Sequence, residues 1–225
     1  MDFAELAFRR IDDRWIKAGD YVDWANELLE GGCDVPSIWE LAVYRWDVYI
    51  DPDQVERLFL SCLVELGLKL PNDWYAALCA YSSSVCQKML SGVTQPWDCV
   101  SEMWAIAEDH NEPYIHWMWI DLSRDLEPVE RRGQGYICFN GTLDLNNPED
   151  CIRKVAQQFI NLCAMPLPDK FPWVWICQEC SAISDESTFT EISACTCSVC
   201  GAISGKRNMR FFEHREEFIK HSVMQ

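Results

Sequence analysis

Residues 51–67, DPDQVERLFLSCLVELG, carry the pattern that decides the fold class. Apolar side chains recur there at helical spacing, at Val55, Leu58, Phe59, Cys62, Leu63 and Leu66. Asp51 is a favourable N-cap, Pro52 suits the first helical position, and Gly67 suits the end of a helix. The stretch therefore predicts an amphipathic helix from Asp51 to Leu66.

Residues that favour helix starts and helix ends recur through the first 127 residues. Five further helices are predicted, over about residues 3–17, 20–30, 36–44, 72–90 and 94–107. Asp20 is the predicted start of the second, Asn72 or Asp73 caps the fourth, and Thr94 with Pro96 begins the last. Short helices in this rhythm suit packed helical hairpins, so the predicted fold class is mainly α.

After residue 127 the pattern changes. An Asn140-Gly141 pair stands between two alternating segments and predicts a small β-hairpin, with strands near residues 136–139 and 142–145. Asn147 and Pro148 then begin another amphipathic helix. An apolar strand is predicted over residues 173–176, and a terminal helix over residues 208–221. The predicted divisions are an acidic helical body (1–127), a hairpin with a helix (128–170) and a ribbon with a terminal helix (171–225).

Four cysteines form the strongest motif. Cys177, Cys180, Cys197 and Cys200 follow the pattern C-x2-C-x16-C-x2-C. The spacer falls within the ~15 to 20 residues expected between the halves of a four-cysteine zinc site. Two such turns complete the closed tetrahedron of a structural zinc ion, which leaves no position for a catalytic water. The spacing therefore predicts one structural zinc in a zinc ribbon.

Cys195 offers an alternative to Cys197 as a ligand, because both precede the last cysteine closely. The glycine after Cys200 is typical of a metal-binding turn and favours Cys197. Unrelated reduced pairs, or a redox C-x-x-C, are the other interpretations. The doubled pair at ribbon spacing favours zinc.

The net charge of −17 is unevenly distributed. Residues 1–127 hold 24 acidic and 9 basic side chains, whereas residues 128–225 hold 12 and 10. Nucleic acid binding depends on lysine and arginine displacing counterions from phosphates, so the acidic body argues against a nucleic acid partner. A basic protein partner is expected instead.

Sequence signatures of enzymes are few. The common phosphate-binding, hydrolase, metalloprotease and dinucleotide motifs are absent. His110 and His116 lie near acidic residues and could form an acid/base pair or a second metal site, but a partly buried, hydrogen-bonded histidine is the favoured interpretation. The tryptophans recur at helical positions, which favours core packing over partner contact.

Neither a signal peptide nor a membrane span is expected. The start MDFAELAFRRIDDRW lacks a basic segment followed by an apolar core, and no apolar run approaches ~20 residues. We therefore expect a cytoplasmic protein.

Residues 15–29, WIKAGDYVDWANELL, and 35–42, VPSIWELA, precede the helix that begins at Asp51-Pro52. This succession resembles bacterial immunity proteins that are encoded beside polymorphic toxins, over about the first 70 residues of the chain. The resemblance implies a non-enzymatic antitoxin that binds and occludes a cognate toxin in bacterial competition. Many such toxin domains are basic nucleases, which agrees with the charge argument.

Candidate partner contacts are acidic residues near predicted helix starts: Asp20, Asp23, Asp51, Asp53, Glu56, Glu108 and Asp109. Acidic residues at these positions also stabilise the helix dipole, which is the competing interpretation. The alternative function is a zinc-ribbon adaptor or regulator that binds transcription or translation machinery. The near-neutral C-terminal part argues against that alternative. An enzyme using His110 or His116 is the third hypothesis.

Overall fold

The protein is mainly helical over the residues that its structure describes. The computed structural model describes residues 1–12, 16–46, 50–110, 114–132, 144, 146–168, 171–172, 174–177, 179–180, 182–185, 196–197, 199–203, 206–208 and 212–223. The helices in these ranges are α1 (Phe3–Asp12), α2 (Ala18–Glu30), α3 (Pro36–Ala42), α4 (Pro52–Leu66), α5 (Trp74–Leu90), α6 (Pro96–Asp109), α7 (Trp117–Arg132), α8 (Pro148–Cys163) and α9 (Phe212–Val223). Short 3₁₀ turns cover Val43–Trp46 and Tyr114–His116. None of the described helices is both long enough and apolar enough to cross a lipid bilayer.

Helix α4 begins and ends at the predicted residues. The Asp51 carboxylate accepts a hydrogen bond of 3.0 Å from the Asp53 N–H, and Pro52 is the first helical residue. Gly67 follows the helix with a φ of 66°, and its N–H reaches the carbonyls of Leu63 and Val64. The prediction for this helix is confirmed because its ends are fixed by local chemistry.

Gly67 provides a test of this helix end. A Cβ at residue 67 would meet no atom within 4 Å, so the cost of Gly67→Ala comes from the left-handed backbone alone. We expect the substitution to lower the free energy of unfolding by ~1 to 2 kcal/mol in urea denaturation. Gly19→Ala is the matched control, because Gly19 lies in α2 with equally open space and without a positive φ. The control should raise stability by up to ~1 kcal/mol, and equal effects at both positions would contradict the argument.

The boundary between the first two helices differs from the prediction. Helix α1 ends at Asp12, and Ile16 and Lys17 are not helical, so the predicted helix over residues 3–17 is too long. Helix α2 begins at Ala18, two residues before the predicted start at Asp20. The Asp20 carboxylate instead accepts the Lys17 N–H at 2.7 Å from the third helical position. Asp20 thus accepts the N–H of the N-cap residue, as the acidic member of a capping box does, and it marks the helix start from the third helical position and not from the N-cap.

A small antiparallel sheet forms near the cysteines, from β1 (Val174–Cys177), β2 (Ile183–Asp185) and β3 (Lys206–Asn208) in the order β2-β1-β3. Strand β1 confirms the predicted strand, although Trp173 lies outside the described residues. The predicted terminal helix is wrong at its start, because Asn208 pairs with Trp175 and α9 begins only at Phe212. Pairing with β1 overrides the helical pattern there. The predicted hairpin at residues 136–145 lies outside the described residues except for Asp144.

The chain packs as two compact units, Met1–Ser84 (unit 1) and Val85–Gln225 (unit 2). In unit 1 the Phe59 ring lies 4.6 Å from that of Tyr21 and 5.5 Å from that of Trp24, at the centre of a core that α1 to α4 share. In unit 2, α6, α7 and α8 surround Phe159, whose ring lies 6.0 Å from that of Trp119. The boundary between the two units therefore lies within α5. The divisions predicted from the sequence lie elsewhere, after residues 127 and 170.

Candidate functional site

The four predicted cysteines lie together. Cys177 ends β1, and Cys180 lies in the turn that follows it. The Sγ atoms of Cys177 and Cys200 are 3.7 Å apart, those of Cys180 and Cys197 are 3.6 Å apart, and all four lie within 4.8 Å of one another. A disulfide would need ~2.05 Å, so these are separate thiols. Cys195 lies outside the described residues.

Both cysteine turns are closed by the same backbone hydrogen bond. The Cys177 N–H donates to the Ala182 carbonyl, and the Cys197 N–H donates to the Ala202 carbonyl, each at 2.9 Å. Residues 177–184, CQECSAIS, and 197–204, CSVCGAIS, share five of the eight residues in register, and this internal repeat is a signal that cysteine spacing alone does not use. Two copies of one turn therefore hold the four thiols.

Backbone amides favour a thiolate at Cys197. The N–H groups of Cys200 and Val199 lower the pKa of Cys197, and the Val199 nitrogen lies 3.4 Å from its sulfur. At Cys180 the backbone N–H of Ala182 lowers the pKa, but burial and the neighbouring thiols together raise it to about 12. Four sulfur atoms this close cannot all carry a charge unless a cation lies between them. The arrangement is therefore suited to binding one soft metal ion.

Helix α9 anchors the segment that carries the cysteines to the core of unit 2. Phe171, shortly before β1, has its ring centroid 5.4 Å from that of Phe218 in α9. Arg215 of α9 is only 1% exposed, and its Nε donates to the Gln158 side chain of α8 at 3.1 Å. Arg215 carries no signal of burial in the sequence, because an arginine between glutamates is typical of a solvated helix face. The chain is thus fixed on both sides of the cysteine cluster.

His116 is buried in unit 2. Its side chain is 0% exposed, and its ring meets the edge of Phe159 at 5.2 Å between centroids. Burial, and then the neighbouring His110, lower the pKa of His116 to about 3. Among the described residues neither histidine belongs to a group that could share a metal ion.

The lowered pKa of His116 makes stability depend on pH. A histidine of the unfolded chain titrates near ~6.5, so the unfolded state binds the extra proton between about pH 6.5 and 3. Stability is complete above this window and falls as the pH is lowered through it, by at most ~1.4 kcal/mol per pH unit. His116→Gln should therefore lose less stability than wild type between about pH 7 and pH 5 in urea titrations. His221→Gln, at an exposed position of α9, is the control and should follow wild type; an equal loss in the His116 variant would contradict the prediction.

The seven acidic candidates are divided between the two units. Five lie in unit 1 and two in unit 2: Asp20, Asp23, Asp51, Asp53 and Glu56, then Glu108 and Asp109. Asp20 and Asp51 accept backbone N–H groups at helix starts, which is the competing interpretation stated above. Glu56 accepts a 2.5 Å hydrogen bond from Arg10. Asp23 and Asp53 are exposed on unit 1, and Glu108 and Asp109 are exposed at the end of α6.

Core packing accounts for only some of the tryptophans. Trp24 and Trp119 are buried, as predicted. Trp39, Trp46 and Trp104 are 54%, 83% and 39% exposed, so the core interpretation is wrong for these three. A helical position beside apolar neighbours does not show which way the ring points, and the sequence could not separate the two groups.

The chain was also compared with known proteins. Models of protein families, curated proteins and solved structures give no match to it.

Proposed function

We propose that the four cysteines bind one structural zinc ion. Zinc–sulfur bonds of ~2.3 Å directed to the corners of a tetrahedron separate the sulfur atoms by about 3.8 Å. The Cys177–Cys200 and Cys180–Cys197 separations of 3.7 and 3.6 Å agree with this value. Tetrahedral sets of four thiolates bind zinc or iron–sulfur clusters, and the two short turns favour zinc. Bound zinc would supply fold stability alone, because four protein ligands leave no open position.

We further propose that the chain is a cytoplasmic immunity protein that neutralises a basic toxin, such as a nuclease, by covering it. The acidic surface of unit 1 is the observation that carries this proposal. Among its described residues nine acidic side chains are exposed, against four basic ones. Two of the remaining arginines are already paired, Arg9 with Glu5 and Arg10 with Glu56. The negative charge therefore faces solvent, where a partner can meet it.

Charge of this sign and placement favours capture of a cationic protein. Complementary charge accelerates association and suppresses wrong partners, and the effect weakens as salt screens it. An immunity protein must bind before its toxin acts, so rapid association is the property that matters most. Occlusion requires no chemistry from this chain, and the proposed role is non-enzymatic.

Co-expression with the product of the adjacent gene tests the immunity proposal. Growth of cells that express the toxin should be rescued by this chain, and the purified chain should form a stable complex with a catalytically inactive form of the toxin. The association rate should fall as salt is raised. A neighbouring gene product that is not toxic, or a toxin that this chain neither binds nor neutralises, would overturn the proposal. Stable association with polymerase or ribosomal components would favour the adaptor alternative instead.

A further inference from the structure

Helix α3 and the 3₁₀ turn after it present three large apolar side chains to solvent. Trp39 is 54% exposed, Val43 63% and Trp46 83%. Their spacing is i, i+4 and i+7, which places them within roughly a 40° arc of the continuous α and 3₁₀ segment. Ile38 and Leu41 lie on the opposite side and are fully buried. The segment thus has one face in the core and an apolar stripe outside.

Charged and polar contacts fix this stripe. The Trp39 indole Nε1 donates to the Asp34 carboxylate at 3.0 Å. The Arg45 guanidinium lies 5.9 Å from the Trp46 ring centroid and 3.8 Å from the Glu30 carboxylate. Glu30, Asp34 and Glu40 are exposed beside the stripe. We call these six residues, Trp39, Val43, Trp46, Glu30, Asp34 and Glu40, the tryptophan–acid surface.

Single exposed apolar residues are ordinary on protein surfaces, but two tryptophans and a valine on one stripe are a larger feature. Tryptophan is enriched among the residues that dominate protein interfaces, and an indole face attracts guanidinium and ammonium groups. Arg45 already lies at the outer limit of such an interaction, ~6 Å, which indicates that the Trp46 ring is oriented to accept a cation. The exposed carboxylates of Glu30, Asp34 and Glu40 add the complementary charge.

We propose that the tryptophan–acid surface is where the toxin docks, through a basic face whose arginine or lysine side chain lies on the Trp46 ring. This inference rests on the proposed immunity function. The acidic residues of this surface, Glu30, Asp34 and Glu40, are not among the seven candidates that lie near predicted helix starts. The apolar stripe supplies the desolvated centre of the interface, and the carboxylates supply its charged rim.

Binding of the inactive toxin to variants of the full chain tests the inference. Trp46→Ala should weaken binding by about 30-fold or more, as expected for a central hot-spot residue. Trp46→Phe should recover part of the loss, because it keeps an aromatic face. Glu40→Lys should slow association and make the association rate less sensitive to salt. Tyr75→Ala, at a 46% exposed aromatic residue of α5, is the matched control and should stay within about twofold of wild type.

Folding of each variant is checked by circular dichroism and urea denaturation, and we expect little change because Trp46 is so exposed. If the wild-type chain binds and neutralises the toxin while Trp46→Ala and Glu40→Lys bind equally well, the docking surface is wrong and the immunity function stands. If the wild-type chain does not bind the toxin, both proposals fail. A 30-fold loss confined to the surface variants supports both.

Discussion

Replacing Cys177 and Cys200 together by serine is expected to abolish zinc binding and to unfold the cysteine turns. The purified wild-type chain should carry close to one zinc per molecule, and the double variant should carry almost none. Structural zinc contributes apparent binding energies of ~10 to 16 kcal/mol in isolated zinc-finger peptides, so its loss is the largest effect expected in this chain. The strands β1 to β3 are only three or four residues long, so few backbone hydrogen bonds would remain to hold the turns without the metal.

Metal analysis of protein purified under reducing conditions gives the first measurement, and limited proteolysis gives the second. Without metal, cleavage should begin between residues 171 and 211, while the helices of unit 1 stay protected. Cys163→Ser is the control, since Cys163 is a half-buried cysteine at the end of α8 and is not one of the four clustered cysteines. Persistent absence of metal from the wild-type chain would refute the site, whereas iron in place of zinc would refute only the identity of the metal.

Replacing Arg215 by alanine is expected to lower the free energy of unfolding by ~3 to 5 kcal/mol, the range found when one member of a buried charged pair is removed. Arg215 is 1% exposed, donates to Gln158 at 3.1 Å, and lies 4.9 Å over the Phe212 ring. Burial lowers its pKa to about 9, although the carboxylates of Asp121 and Glu213 oppose this change. The guanidinium therefore stays charged at neutral pH, and its removal leaves the buried Asp121 facing no cation from this position.

Two companion variants make the Arg215 result interpretable. Lys220→Ala removes an exposed cation from the same helix and should change stability by less than ~0.5 kcal/mol. Arg215→Lys keeps the charge but cannot reproduce the planar contact with Gln158 and Phe212, so its loss should be intermediate. Hydrogen exchange should show that α9 opens first in Arg215→Ala. Unchanged stability in that variant would mean that the buried cation does not hold α9 in place.

The cysteine cluster and Arg215 both lie in unit 2. The cysteine turns follow α8 and precede α9, and the Gln158 Nε2 also donates to the Phe212 carbonyl at 3.1 Å. The buried polar contacts hold α9 against α8. The metal would hold the cysteine turns that lie between these two helices in the sequence. We therefore expect the Cys177/Cys200 and Arg215 variants to expose overlapping protease sites in unit 2, by different causes.

Local chemistry explains which helices could be predicted. Asp51, Pro52 and Gly67 fix α4 through groups within a few residues of its ends, and the same holds for Pro36 at the start of α3. Helix α7 has no such signal at its start, and a proline, Pro128, lies within it. It forms because its buried residues, among them Trp119 and Leu122, pack against α6 and α8. That stabilisation comes from packing between helices, which residues at the ends of a single helix cannot reveal.

The sequence by itself determined the mainly helical class, the four cysteines that share one site and the acidity of the first 127 residues. Each depends on spacing or composition, which any unfolded chain already contains. Only the tertiary structure decided that Asn208 belongs to a strand, that Arg215 is buried, and that Trp39 and Trp46 face solvent while Trp24 does not. The physical reason is that burial depends on pairs of elements. A tryptophan stabilises the fold where a second element covers its ring, and it stays exposed where no element does.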